Sequence, residues 1–162
     1  MRIKIHNIGS KFMRDVEAVL QHAEEYCIGR GVKLTPKRKR VLSGLIGSSE
    51  ALSAYDLIDY CKKEFGDAMP AMSVYRILNF LEREKLVHRL QLANKYVACS
   101  HITCDHAHGA SQFLICGECN KVKEIAISAL AMDELQANVD SAGFRMAGTQ
   151  LEVNCICEAC AP

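Results

Sequence analysis

The chain has no run of apolar residues that reaches the ~18 needed to span a bilayer as a helix, which argues against an integral membrane protein. Its opening stretch, Met1 to Ser10, lacks both the long apolar run and the small-residue cleavage site of a secretory signal, so the expectation is a cytoplasmic protein. Internal repeats and low-complexity tracts are also missing, which excludes a repeat array. Net charge is nearly absent, at +1 at pH 7. What the chain does have is 49% hydrophobic residues over 162 positions, enough for one medium core or two small ones and too many for a disordered chain. It also has 9 cysteines, which in a reducing compartment point to metal ligation or thiol chemistry rather than disulfides.

The near-zero charge conceals a division. Up to Leu92 the chain carries sixteen Lys and Arg against eleven Asp and Glu, whereas Ala93 to Pro162 carries four against eight. Opposite signs in the two halves suggest two domains, the first suited to a polyanion.

Periodicity predicts four helices in the basic half. Phe12, Val16, Val19, Leu20, Ala23 and Cys27 recur at helical spacing, and Gly29 and Gly31 end that helix near Ile28. A second helix begins at Thr35-Pro36, with Thr35 as cap, and turns Val41, Leu42, Leu45 and Ile46 inward. Lys37, Arg38, Lys39 and Arg40 crowd its opening turns. Cations there oppose the helix dipole unless a phosphate sits at the helix start; the alternative is a solvated basic face. A third helix starts from the capping box of Ser53 and Asp56 and runs to Phe65. The fourth lies between Pro70 and Lys85, with Val74, Ile77, Leu78 and Leu81 as its apolar stripe and Tyr75, Arg76, Asn79 and Arg83 facing outward.

Leu86 to Leu92 alternates apolar and polar, and with Lys95 to Cys99 it forms a hairpin whose turn is expected at Ala93-Asn94. That turn pairs Leu90 with Val97 and His88 with Cys99. Helices followed by a two-stranded hairpin match a winged helix-turn-helix, with Met72 to Arg83 as the recognition helix. Beyond a His-rich loop, Phe113 to Ile115 and Val122 to Ile125 are expected to pair. Ile127 to Val139 reads as a helix and Thr149 to Cys155 as a final strand. The fold class is therefore α+β, with a small α/β module after the winged helix and the boundary near Tyr96 to Ser100. Its strand edges could pair with a second copy.

Cys116 with Cys119 and Cys157 with Cys160 are two Cys-x-x-Cys pairs, which together complete the tetrahedral sulfur shell of a closed zinc site. Their wide separation requires a helix and a strand to fold between them, and gives the metal leverage over stability. A thiol–disulfide redox centre would need one pair and no partner pair. The remaining metal candidates are His88, Cys99, His101, Cys104, His106, His108 and Glu124. In the expected hairpin register His88 and Cys99 share a face, Glu124 lies just past the first Cys pair, and a loop histidine could close the set. Mixed N, S and O ligands suit Zn²⁺ better than Mg²⁺ or Ca²⁺. Cys27 and Cys61 sit on apolar helical faces and read as buried small hydrophobes. Cys104 and Cys155 are spare ligands or inert.

Leu34-Thr35-Pro36 with Arg38, Ser53-Ala54-Tyr55-Asp56, Ser73-Val74-Tyr75-Arg76 with Leu78, Phe80 and Leu81, and Phe113 to Cys116 with Cys119 and Val122-Lys123-Glu124 form a further pattern. Taken together, over nearly the whole chain, it resembles the ferric-uptake-regulator (Fur) superfamily and, within it, the zinc-sensing branch. The resemblance implies a homodimer that binds double-stranded operator DNA when loaded with metal. Residues 1–98 would be the winged-helix DNA-binding domain and 99–162 the zinc-binding dimerisation domain. Carried over by position, Cys116, Cys119, Cys157 and Cys160 would hold structural zinc. His88, Cys99, Glu124 and a loop histidine, His108 or alternatively His106, would hold a regulatory zinc, making two Zn²⁺ per subunit. The loop is longer than the family's pattern expects, which is why both histidines stay in play. Tyr75 and Arg76 would contact bases, Tyr55 would contact DNA, and Lys37, Arg38 and Lys39 would take phosphates. Ser111, Gln112 and Phe113 stand where iron-sensing relatives carry histidines, which argues against an iron sensor. Neither catalysis, a membrane nor a small-molecule substrate is implied. The rival readings are a sensor of iron, manganese, nickel or peroxide, a thiol redox protein, or a zinc-stapled adaptor that binds protein rather than DNA.

Overall fold

A computed structural model of the chain describes residues 10–103 and 110–161, with the backbone alone for 10–14. Cys104, His106 and His108 therefore lie outside the described residues. Four helices come first: α1 (Ser10–Gly29), α2 (Pro36–Ile46), α3 (Ala54–Phe65) and α4 (Ala71–Arg83). The hairpin of β1 (Val87–Leu90) and β2 (Lys95–Ala98) follows, then β3 (Ser111–Cys116), β4 (Val122–Ala126), α5 (Ala129–Ser141) and β5 (Leu151–Cys155). None of the described helices is long and apolar enough to cross a membrane.

The helices form where local chemistry asks for them. At the start of α3 the Asp56 amide donates to the Ser53 hydroxyl at 3.2 Å, and the Ser53 amide donates to the Asp56 carboxylate at 2.8 Å, which completes the expected capping box. The helix stops at Gly66, whose φ of 64° is a left-handed cap that glycine adopts without a Cβ penalty. The start of α2 corrects the sequence reading: Thr35 occupies the cap position, but its side chain bonds no helix amide. Pro36 follows it and has no N–H of its own, so one fewer donor awaits a cap there. Val41, Leu42, Leu57, Cys61, Val74, Leu78 and Leu81 are fully buried together. Close packing of α2 on α3 depends on Gly44, where a Cβ would come within 2.8 Å of the Tyr60 ring.

In the wing, the expected pairing of Leu90 with Val97 and of His88 with Cys99 is not found. His88 pairs with Val97 and Leu90 with Lys95. The turn takes four residues, Gln91 to Asn94, and Asn94 sits at φ 49°, a conformation asparagine tolerates. Moving a register by two residues preserves which face each side chain occupies. His88 and Cys99 therefore still share a face, as diagonal rather than direct neighbours, and the Cys99 amide donates to the Leu86 carbonyl at 2.9 Å. A further rung, with Leu52 and Tyr96 exchanging amide–carbonyl bonds of 2.9 and 2.8 Å, ties the wing back to the segment before α3.

The last three strands are ordered β4-β3-β5, with β3 antiparallel to β4 and parallel to β5. The parallel crossover uses α5, which begins at Ser128, whose hydroxyl accepts from the Ala131 amide. Ile127, expected inside that helix, lies before it. The helix buries none of its residues, and Leu130 is 70% exposed. A second apolar cluster joins the two halves of the chain: Leu90, Ala93 and Val97 of the wing pack with Phe113, Ile115 and Val122 of the sheet.

Candidate functional site

Both Cys-x-x-Cys pairs lie at one end of the three-stranded sheet. Cys116 closes β3 and Cys119 lies in the turn toward β4, while Cys157 and Cys160 lie in the turn after β5. Because β3 and β5 run parallel with Cys116 opposite Cys155, both turns emerge on the same side; the Gly117 amide donates to the Cys155 carbonyl at 3.0 Å. The four sulfurs lie within 4.8 Å of one another. Amide donation, first from Cys157 and then from Cys119, holds the Cys116 thiol down at about 6, whereas the neighbouring thiols of Cys157 and Cys119 push Cys160 up to about 12. Four sulfurs this close cannot all be thiolates without a cation among them, while a dication would satisfy all four. The donor set therefore fits a closed four-sulfur zinc shell.

A second group of ligand atoms, from His88, Cys99 and Glu124, also lies within 4.8 Å. It spans the joint between the halves: His88 is on β1, Cys99 immediately follows β2, and Glu124 is on β4. The His88 ring packs on Phe113 at 4.9 Å between centroids, with its Nε2 3.7 Å from the Glu124 carboxylate. Burial alone would push Glu124 up, but the Ser100 hydroxyl (2.7 Å) and amide (3.0 Å) and the Ser111 hydroxyl (2.8 Å) donate to it, and together they hold it below the usual carboxylate range. The carboxylate is therefore ionised and aimed, as a metal ligand must be. An imidazole, a thiolate and a carboxylate at this spacing could hold Zn²⁺. His101 is half-exposed at its edge, with Nδ1 3.5 Å from Glu124. The expected loop ligands His108 and His106 lie outside the described residues.

No motif in the sequence marks Ser100 and Ser111 as orienting groups for Glu124. The signal for Ser111 was present in the strand pattern, since it lies two residues from Phe113, which pairs directly with Glu124, and so shares its face.

On the helical half, Tyr55 is 66% exposed at the start of α3 and Arg76 is exposed on α4, while Tyr75 packs partly against the core. The three cations of α2 expected to meet phosphates differ. Lys37 is exposed, whereas Arg38 stacks 3.5 Å over the Phe80 ring and donates to the Lys33 carbonyl, and Lys39 pairs with Glu24 at 2.6 Å. Cys27 and Cys61 are fully buried as expected, and burial pushes the Cys61 thiol up to about 11.

A winged helix resting on a small sheet, with one ligand cluster at the sheet's end and another at the joint, defines a class of two-part, metal-binding winged-helix proteins. The model of the ferric uptake regulator family matches residues 29–154, and the chain belongs to that family. It is 34% identical over 144 residues to the zinc uptake regulation protein of Escherichia coli (strain K12), covering 89% of this chain and 82% of that one. A solved zinc uptake regulator complexed with zinc and DNA aligns with a TM-score of 0.77 at 32% identity, covering 90% of this chain and 94% of that chain. The regulator XcZur aligns in its holo crystal form with a TM-score of 0.73 (31% identity, 88% of this chain and 96% of that one) and in its apo form with 0.51 (32% identity, 92% and 99%).

Proposed function

We propose that the chain is a zinc-responsive transcriptional repressor, acting in the cytoplasm, that binds palindromic operator DNA as a zinc-loaded homodimer and controls zinc-uptake genes. The observation that carries this reading is the His88–Cys99–Glu124 cluster, because its ligands come from the wing on one side and the sheet on the other. Zinc bound there would supply a coordinate crosslink between the two halves. His88 and Cys99 would be drawn onto Glu124, with His108 or His106 completing the set, and the wing would be fixed against the sheet in the orientation that reads DNA. The better fit to the holo than to the apo form of XcZur, at nearly equal identity, supports a closed arrangement. Cys116, Cys119, Cys157 and Cys160 would hold a second, structural zinc.

Residues 1–98 would then be the DNA-reading domain and 99–162 the dimerising one. Arg76 would donate to guanine O6 and N7, and Tyr75 would meet a base edge or thymine methyl. Tyr55, Lys37, Arg38 and Lys39 would contact DNA, mainly its phosphates. Arg38 and Lys39 already make the contacts described above, so Lys37 is the cation most available in the free protein.

The test is operator binding by the full chain across buffered free-zinc concentrations, alongside counting of bound metal. The parent should bind DNA only when both clusters are loaded. Cys99→Ala should stay folded, keep the sulfur-bound ion, and lose the zinc response. Parent protein that binds equally well with the joint empty would overturn the reading, as would full activation by iron or manganese with zinc inert.

A further inference from the structure

Glu152 reaches from β5 to the far end of the wing. One of its carboxylate oxygens accepts the Gln91 amide at 2.7 Å and the other accepts the Leu92 amide at 2.9 Å. Two consecutive backbone donors on one carboxylate form a small anion nest, filled here by the chain itself. Gln150, two residues earlier, reinforces it by donating from Nε2 to the Arg89 carbonyl at 2.8 Å and to Glu152 at 3.0 Å.

The sheet explains why this contact falls where it does. Phe113 on the central strand pairs directly with Glu124 on one side and with Glu152 on the other. Directly paired residues project to the same face, so the sheet presents a row of carboxylate, phenyl and carboxylate, with the outer two backbone positions about 10 Å apart. The wing lies across that row. Its base meets Glu124 through His88 and Cys99, its middle meets the fully buried Phe113 through His88 and Leu90, and its tip meets Glu152.

We infer that Glu152 is a positioning residue for the zinc response: it holds the wing tip on the sheet without metal, so that His88 and Cys99 are already aimed at Glu124 when zinc arrives. The base contacts and the apolar contact at Phe113 hold the wing on the sheet but leave its tip free to lift, whereas a bond from Glu152 at the tip removes that remaining freedom. Part of the ordering cost of closing the metal site is thereby met in advance, which raises the apparent zinc affinity. The clasp also occupies the wing-tip amides, so those two amides are not available to a DNA phosphate.

The inference rests on the repressor reading for its zinc dependence but not for the clasp itself, and the experiment separates the two. Amide exchange at Gln91 and Leu92 and the free-zinc midpoint for DNA binding are measured on full-length parent, Glu152→Ala and Glu152→Gln, with sulfur-bound metal counted as a check on folding. In the parent both amides should be protected, and by linkage more so with zinc. Glu152→Ala should lose that protection and need roughly tenfold more free zinc for half-maximal DNA binding. Glu152→Gln, which keeps an acceptor oxygen, should recover part of each effect. A Glu152→Ala midpoint equal to the parent's, or unprotected Gln91 and Leu92 amides in zinc-loaded parent, would overturn the inference. A parent indifferent to zinc would refute the repressor reading and with it the zinc role of Glu152, while the amide protection would still decide the clasp.

Discussion

Within this chain the same side-chain type does different work according to its neighbours, and cysteine shows it most directly. Cys27 and Cys61 are enclosed by helices, and burial pushes both thiols up, which leaves them inert packing residues. Cys116 receives backbone amides and is pushed down to about 6, toward the thiolate a metal requires. Glu124 shows the same contrast among carboxylates. Its burial would favour the neutral acid, but three donors from Ser100 and Ser111 reverse that preference and fix where the oxygens point. Ser111→Ala should therefore leave the fold and the four-sulfur ion in place while weakening zinc at the joint by roughly tenfold, the usual consequence of removing a hydrogen bond behind a ligand. Competition with a chelating dye measures this directly, and an unchanged affinity would show that Ser100 alone suffices.

At the level of helices and strands, α4 is held at its far end by an ion pair that no local pattern announced. Glu84, just past α4, is buried and accepts from Arg30 at 3.0 Å, beyond the end of α1, and from Arg83 at 3.2 Å. The Arg30 hydrogen bond, helped by Arg83, holds its carboxyl below the usual range. A carboxyl with a lowered folded-state pKa lends stability at pH above the unfolded value, and that stability disappears as pH falls through the lowered one. The difference in unfolding free energy between parent and Glu84→Gln should accordingly be full near neutrality and shrink on acidification, since glutamine mimics the protonated form. A difference that stays constant across the acid range would show that the charge contributes nothing. Comparing the two proteins at each pH also cancels any common effect of acid on the metal clusters.

For the molecule as a whole, the four-sulfur cluster ties the turn after β3 to the turn after β5, and everything between them, including α5, hangs on that closure. Apart from Phe113, Ile115 and Val122 against the wing, the described part of the C-terminal half buries little: no residue of α5 is fully buried, and Leu130 and Phe144 are 70% and 72% exposed. Structural zinc contributes roughly 10–16 kcal/mol in small domains, which is comparable to or larger than the ~5–15 kcal/mol that usually separates a folded domain from its unfolded state. Exhaustive chelation should therefore unfold the C-terminal half while α1 to α4, with their own buried core, persist. Limited proteolysis before and after chelation reads this as new cleavage confined to the C-terminal half. Uniform resistance to protease would remove the structural role from the cluster.

The features readable along the chain are those that short-range physics enforces. The Ser53–Asp56 box, the buried stripe of Val74, Ile77, Leu78 and Leu81, and the two Cys-x-x-Cys turns each involve residues a few positions apart, and all appear where periodicity and spacing put them. His88 and Cys99 share one face in the expected register and in the observed one, because a shift of two residues along a strand leaves the face unchanged. The register itself depended on Asn94 taking a left-handed conformation and lengthening the turn. Glu84 meeting Arg30, Ser111 meeting Glu124, and Glu152 meeting the wing tip arise only after segments distant in sequence pack together. Their partners are chosen by strand order and shared apolar surface, and no interval of sequence encodes a distance that the folding of other segments creates.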